Sequence, residues 1–339
     1  MGKVKTIDPQ NMLGTVERLP EMFAAAADLF KIPQLSKLPK PAQIIISGMG
    51  GSAISGDIAV DLLSGNSSVP IIVNRGYKLP AFINGQTIVF TLSYSGQTEE
   101  TLAAAKQALE QGAKIIAITT GGKLKELADR TGCPSYIIPS GYQPRAALPF
   151  LLTTLLRGLN ELGFYPNFAD DLKETIGVLK MVRSESGNEV KQLAKKLVGK
   201  IPIIFGCVNT TQAVALRFKT QFNENSKATA LANTLPELDH NELVNLNALK
   251  RTGHNFSLIC LRDEGDSERI KKRLEITKSL INNQLGGVTE IFSKGKSALA
   301  RSASLIYYGD LLSVYLAIYK GIDPTEVEAI SRLKKELSR

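Results

Sequence analysis

Cysteine, histidine and long apolar runs are all scarce in this chain, and each scarcity closes off a class of protein. Three cysteines occur among 339 residues, Cys133, Cys207 and Cys260. They are odd in number, scattered, and without C-x-x-C or histidine partner spacing, so no disulfide framework and no metal site are expected. The two histidines, His240 and His254, are isolated, and such residues are by default structural. No apolar run approaches the ~20 residues that span a bilayer. The opening MGKVKTIDPQ has no apolar signal segment, which argues against secretion and for the cytoplasm. A basic tail or aromatic-interleaved basic patch is also missing, so the formal charge of +9 does not point to nucleic acid. Lysines and arginines instead alternate with apolar residues, as at Lys271, Lys272, Arg273 and Lys334, Lys335, the mark of solvated helix faces. A modest positive field favours small anionic substrates.

What the chain does have is a strong alternation of strand and helix. Hydrophobic residues make up 43% and charged residues 22%, a balance that supports ordinary packed cores, and the length calls for roughly two of them. The most informative stretch is Ile44 to Gly56, IIISGMGGSAISG. A short apolar run reads as a buried parallel strand, and Gly48, Gly50 and Gly51 then turn the backbone sharply into a helix. The unpaired N–H groups at such a helix start form a cradle for a phosphate or another oxyanion. Ser52 sits at the turn, as part of the cradle or as a helix cap.

A second turn of this kind follows the strand TIVFTL (Thr87 to Leu92). There Ser93, Ser95 and Thr98 lie in the string SYSGQTEE before an Ala-rich helix. Adjacent parallel strands bring their C-terminal ends to one crevice, so two hydroxyl-rich loops can surround one phosphate. Alternatively, Thr98 caps its helix and the serines form local turns. Further strands are expected at Pro70 to Asn74, Ala113 to Thr119 and Ser135 to Pro139, and an apolar helix at Leu148 to Leu162. A first doubly wound α/β domain therefore closes at residue 166.

Residues 167–339 form the second domain. It opens with one long helix, Asp170 to Leu197, and then repeats the theme: the strand IPIIF (Ile201 to Phe205), Gly206, a turn with Thr210 and Thr211, and a helix to about Asn223. The halves look like two copies of one fold. The second copy lacks the glycine pair, so its turn is the weaker phosphate candidate. Strands at Leu258 to Leu261 and Val288 to Phe292, and helices from Ala298 to Tyr319 and from Thr325, complete the chain.

Three residues stand out chemically. Glu224 lies near a helix C-terminus, where the dipole disfavours an anion and raises its pKa toward that of a general base. His240 is set among Glu237, Asp239 and Glu242, which can orient or charge it. Arg145, after Pro144, can stabilise a developing oxyanion.

The strings GMGGSAISG, SYSGQTEET, PRAAL, NENSK, PELDHNE and GIDPTEVEAISRLKKEL together resemble the bifunctional phosphoglucose/phosphomannose isomerases, which are built from two sugar isomerase (SIS) domains. The likeness extends over nearly the whole chain. It implies that Gly51, Ser52, Ser93, Ser95 and Thr98 bind the sugar phosphate. It assigns Glu224 the proton transfer between C1 and C2, Arg145 the stabilisation of a cis-enediolate, and His240 and Lys334 ring opening. It further implies a homodimer with shared sites, a reading to which the broadly apolar helix from Ala298 contributes. The family's usual Asn is Gln97 in one string and Asp239 in another, and Asp239 adds a charge beside His240. Isomerisation of this kind needs a base and an oxyanion stabiliser but no cofactor.

Three other readings compete. Gly48, Gly50 and Ala53 fit G-x-G-x-x-A, with Arg75 placed for an NADP 2′-phosphate, as in a dehydrogenase. A non-catalytic phosphosugar-binding SIS regulator, or another 6-phosphosugar isomerase or deaminase, would share the phosphate loops.

Overall fold

The computed structural model describes residues 6–29, 35–249 and 252–337. The chain divides into two compact units. One comprises residues 19–177 with 296–300, the other residues 1–18, 178–295 and 301–339. The short helix Met12–Glu17 thus groups with the second unit, although the sequence places it in a first domain of residues 1–166.

In the first unit, strands β1 (Gln43–Ser47), β2 (Ile71–Asn74), β3 (Thr87–Ser93), β4 (Lys114–Thr119) and β5 (Ser135–Ile137) form one parallel sheet in the order β2-β1-β3-β4-β5. Parallel sheets are covered on both faces, which is why β1 and β3 read as continuous apolar runs. Alternate residues serve opposite layers. Ile45, Val89 and Ile115 pack on α3 (Glu99–Glu110) and α4 (Gly122–Thr131) through Ala104, Ala108 and Leu127. Ile46 and Phe90 lie against Gly56 of α2 (Gly50–Leu63) and Gly158 of α5 (Leu148–Glu161). Both α2 and α1 (Leu19–Asp28) pack on α5.

From β1 the chain passes to β2 on one side, and β3 then pairs with β1 on the other, with Ser47 opposite Thr91. The loops leaving β1 and β3 therefore diverge at a topological switch point, where open α/β sheets bind ligands.

The long helix expected over 170–197 is two, α6 (Phe168–Glu185) and α7 (Gly187–Lys196), interrupted at Ser186, the N-cap residue of the second helix. The second unit repeats the pattern with four parallel strands, β6 (Ile201–Cys207), β7 (Leu231–Leu235), β8 (Phe256–Arg262) and β9 (Val288–Phe292), in the order β7-β6-β8-β9. Strand β7 was not expected from the sequence. Its LANTL string lacks the alternation of a half-buried strand, and it is held at the sheet edge by pairing with β6 alone.

Helix α8 (Gln212–Ser226) follows β6, and α9 (Glu242–Asn247) and α10 (Glu268–Ile281) follow β7 and β8. Then come α11 (Ala298–Lys320) and α12 (Glu328–Leu337). Phe205, Leu235, Leu238, Leu258, Leu274 and Ile281 belong to its core. A buried Arg217–Asp310 ion pair joins α8 to α11 through two hydrogen bonds, of 3.1 and 2.6 Å. No helix among the described residues is long and apolar enough to cross a membrane.

Candidate active site

The glycine turn after β1 is built as a cradle. Gly50 opens α2 with φ +50°, following extended Met49. Ser52 is thus the third residue of the helix and not its cap. It is 5% exposed, and its hydroxyl makes no hydrogen bond to any described residue. A Cβ on Gly51 would lie 2.8 Å from the Pro144 carbonyl oxygen and 3.3 Å from the Arg145 Cα. Only glycine at this position lets the loop that carries Arg145 lie directly on the start of α2. Arg145 itself is buried, with its Nη1 3.5 Å from the Gln143 Oε1.

The turn after β3 supplies three more hydroxyls. Ser93 Oγ lies 2.8 Å from Thr98 Oγ1 and accepts a longer bond from the Thr98 N–H, while Ser95 Oγ accepts from the Gln97 N–H at 3.2 Å. Thr98 occupies the cap position of α3, but its side chain makes no capping bond. Gly96, with φ +66°, runs so close to Gly121 that a Cβ would fall 1.8 Å from the Gly121 carbonyl oxygen. The loop is pressed onto its neighbour, and exposed Ser95 remains at its surface.

The corresponding turn of the second unit is closed from within. Thr211 Oγ1 accepts the Cys207 N–H at 2.8 Å, and Thr210 Oγ1 donates to Asp266 Oδ1 at 2.6 Å. A carboxylate of the chain itself holds the hydroxyl that a phosphate would use. Cys207 and Cys260 are buried within this sheet, and burial pushes the Cys260 thiol up to about 12.

Glu224 lies half-buried near the end of α8, which is tied to α11. Asn225 Nδ2 donates to Ser313 Oγ at 2.9 Å and Ser226 Oγ to the Ser313 carbonyl at 2.6 Å. Lys320 Nζ donates to the Ser226 carbonyl at 2.7 Å and to that of Lys227 at 3.2 Å. Burial holds the Lys320 ammonium below its ordinary pKa. The sequence treats this helix end as an uncompensated negative pole. The fold instead brings a cation onto its carbonyls, a partner from about 95 residues away that no local pattern announces.

His240 ends a 3₁₀ turn, Glu237–His240, that follows β7. It is exposed and has no hydrogen-bond partner among the described residues. None of the flanking carboxylates hydrogen-bonds to the imidazole, and each is engaged by another residue. Glu237 accepts from Asn241, Glu242 from Asn233, and Asp239 from both Arg273 and Thr277. Lys334 lies on exposed α12, beside an apolar stripe of Ile330, Leu333 and Leu337. His254, in a 3₁₀ turn before β8, offers its backbone carbonyl to Lys200. Arg75, the candidate for a 2′-phosphate, is paired with Asp57.

Two parallel α/β sheets, the first with hydroxyl-bearing turns at its switch point, define a protein of the SIS class. Residues 37–140 match the SIS domain family and residues 186–337 the bacterial phospho-glucose isomerase C-terminal SIS domain. The chain belongs to the bifunctional phosphoglucose/phosphomannose isomerase family. It is 43% identical to the bifunctional phosphoglucose/phosphomannose isomerase of Caldicellulosiruptor bescii, over 96% of this chain and 99% of that one. With the protein of the same name from Aquifex aeolicus it shares 38% identity, over 87% and 90%. A relative named D-glucosamine-6-phosphate 4-epimerase, from Sulfolobus acidocaldarius, is 35% identical over 96% and 97%. Among solved structures, a hypothetical protein of Thermus thermophilus superposes with a TM-score of 0.76 at 16% identity, covering 99% of this chain and 91% of that one.

Proposed function

We propose that this sugar-phosphate isomerase interconverts glucose 6-phosphate and mannose 6-phosphate with fructose 6-phosphate. The observation that carries the reading is the 43% identity, sustained end to end, to an enzyme named for both activities. Ser52, Ser93, Ser95 and Thr98 hold the phosphate, with the N–H groups at the start of α2. Glu224 takes the proton from C2 of the open-chain aldose and returns it to C1, and the Arg145 guanidinium stabilises the enediolate oxygen. His240 and Lys334 serve ring opening. Glucose 6-phosphate and mannose 6-phosphate differ only at C2, so one base that reaches both faces of the enediolate serves both.

Purified protein incubated with fructose 6-phosphate should yield both aldose 6-phosphates at long times. Glucose 6-phosphate without mannose 6-phosphate would refute dual specificity. Turnover of glucosamine 6-phosphate at C4, with fructose 6-phosphate left untouched, would move the protein to the epimerase chemistry of its Sulfolobus relative.

The phosphate site has its own test. Ser95→Ala removes one hydrogen bond to a charged group, worth ~1.5–3 kcal/mol, so KM for fructose 6-phosphate should rise about tenfold or more with kcat little changed. An unchanged KM in both Ser95→Ala and Ser93→Ala would exclude these hydroxyls.

The active form is a homodimer in which His240 of one chain serves the site that holds Glu224 of the other. Topology within the second unit supports this. Helix α8 leaves the C-terminal edge of the sheet and runs back, so Glu224 lies ~18 Å along it, toward the opposite edge. Strand β7 then returns ~13 Å to the C-terminal edge before His240 is reached. Within one chain, the two residues thus stand before and after the full length of β7.

A further inference from the structure

We infer that Asp239, Arg273 and Thr277 form a clamp that positions His240, an inference that rests on the ring-opening role proposed for that histidine. Asp239 immediately precedes His240 in the 3₁₀ turn, and its carboxylate is held from α10. Arg273 Nη1 donates to Asp239 Oδ2 at 3.0 Å and Thr277 Oγ1 donates to Asp239 Oδ1 at 2.8 Å. The two donors are one helical turn apart, so they grip both carboxylate oxygens from one face of α10. The Asp239 side chain is 11% exposed and that of Arg273 35%, which places the pair where solvent screens it only in part.

Everything else in the turn is fixed as well. Leu238, fully buried, sits in the core beneath it. Asn241 bridges to Glu237 on one side, and Glu242 is tied to Asn233 of β7 at 2.7 Å. His240 is left as the exposed side chain of a braced turn. A ring-opening imidazole must meet the ring oxygen or the anomeric hydroxyl of a bound sugar, and about 1 Å of misplacement can cost ~10²-fold. A short exposed turn has little rigidity of its own. The clamp supplies it by tying the backbone at position 239 to a packed helix. Asn at this position keeps the grip, because its amide oxygen can accept from Arg273 while its amide N–H donates to the Thr277 hydroxyl.

Ring opening can be read apart from isomerisation. In the Glu224→Gln background, the exchange between the α and β anomers of glucose 6-phosphate reports ring opening alone, and two-dimensional exchange NMR measures its enzyme-dependent rate. Adding Asp239→Ala or Arg273→Ala should lower that rate tenfold or more, while binding of the sugar phosphate stays near the parent value and the protein stays folded, its melting temperature lower by a few degrees at most. Asp239→Asn should restore most of it. If His240→Ala in the same background leaves anomer exchange intact, the role of His240 itself is wrong. If His240→Ala abolishes exchange but Asp239→Ala and Arg273→Ala do not slow it, the clamp is refuted. A loss in the Ala variants that Asp239→Asn does not rescue, or that comes with loss of the folded state, also overturns it, since positioning would then not be the cause.

Discussion

Glu224→Gln should lower kcat for the interconversion of glucose 6-phosphate and fructose 6-phosphate by ~10²–10⁴-fold, with KM changed about twofold at most. The substitution keeps shape and hydrogen-bonding reach but removes the basicity that C2 deprotonation requires. It leaves the end of α8 as it is. Asn225 and Ser226 still bond to Ser313, and Lys320 still caps the Ser226 carbonyl. The phosphate cradle belongs to the other unit and is not touched, so substrate should bind as before. A kcat effect with an unaltered KM marks an interaction made only in the transition state. The decisive measurement is washout of the C2 proton of glucose 6-phosphate into deuterated water. Washout at the parent rate in the variant would assign the base elsewhere.

The second large effect is a recovery of activity. Glu224→Gln and His240→Ala homodimers should each be nearly inactive, yet unfolding them together and refolding at equal concentration should restore about a quarter of the sites. Random pairing makes about half of the dimers mixed, and in a two-fold dimer each mixed pair holds one doubly defective site and one intact site. The topological separation of Glu224 and His240 within one chain motivates the experiment. If each site takes both residues from one chain, every site keeps a defect and the mixture stays inactive. Titrating the ratio of the two parents adds a check, because the recovered activity must peak at equal amounts and fall on either side.

Around His240 and at the end of α8 the fold supplies partners that the local sequence does not announce. The PELDHNE string puts three carboxylates within three residues of His240, and proximity along the chain suggests a charged cluster. In the fold each carboxylate has a partner of its own: Arg273 and Thr277 reach Asp239 from α10, Asn233 reaches Glu242 from β7, and Asn241 holds Glu237 within the turn. The helix end that carries Glu224 behaves in the same way. There Lys320 of α11 donates to the terminal carbonyls. The partners from α10 and α11 lie far away in sequence, and local patterns carry no information about them.

By itself the sequence determined the class of fold, the two glycine- and hydroxyl-rich turns, and the order of strands and helices along most of the chain. These follow from short-range physics: buried parallel strands must be apolar on both faces, and glycines let the backbone turn sharply from a strand into a helix. Only the tertiary structure decided that β3 pairs with β1 opposite β2, which sets both turns at one switch point. It also decided that Asp266 fills the second unit's turn, and that Glu224 and His240 lie toward opposite edges of their sheet. Strand β7 belongs to this second group. An edge segment without the alternation of a half-buried strand becomes a strand only when β6 offers its unpaired backbone groups, so its structure is a property of the sheet and not of its five residues.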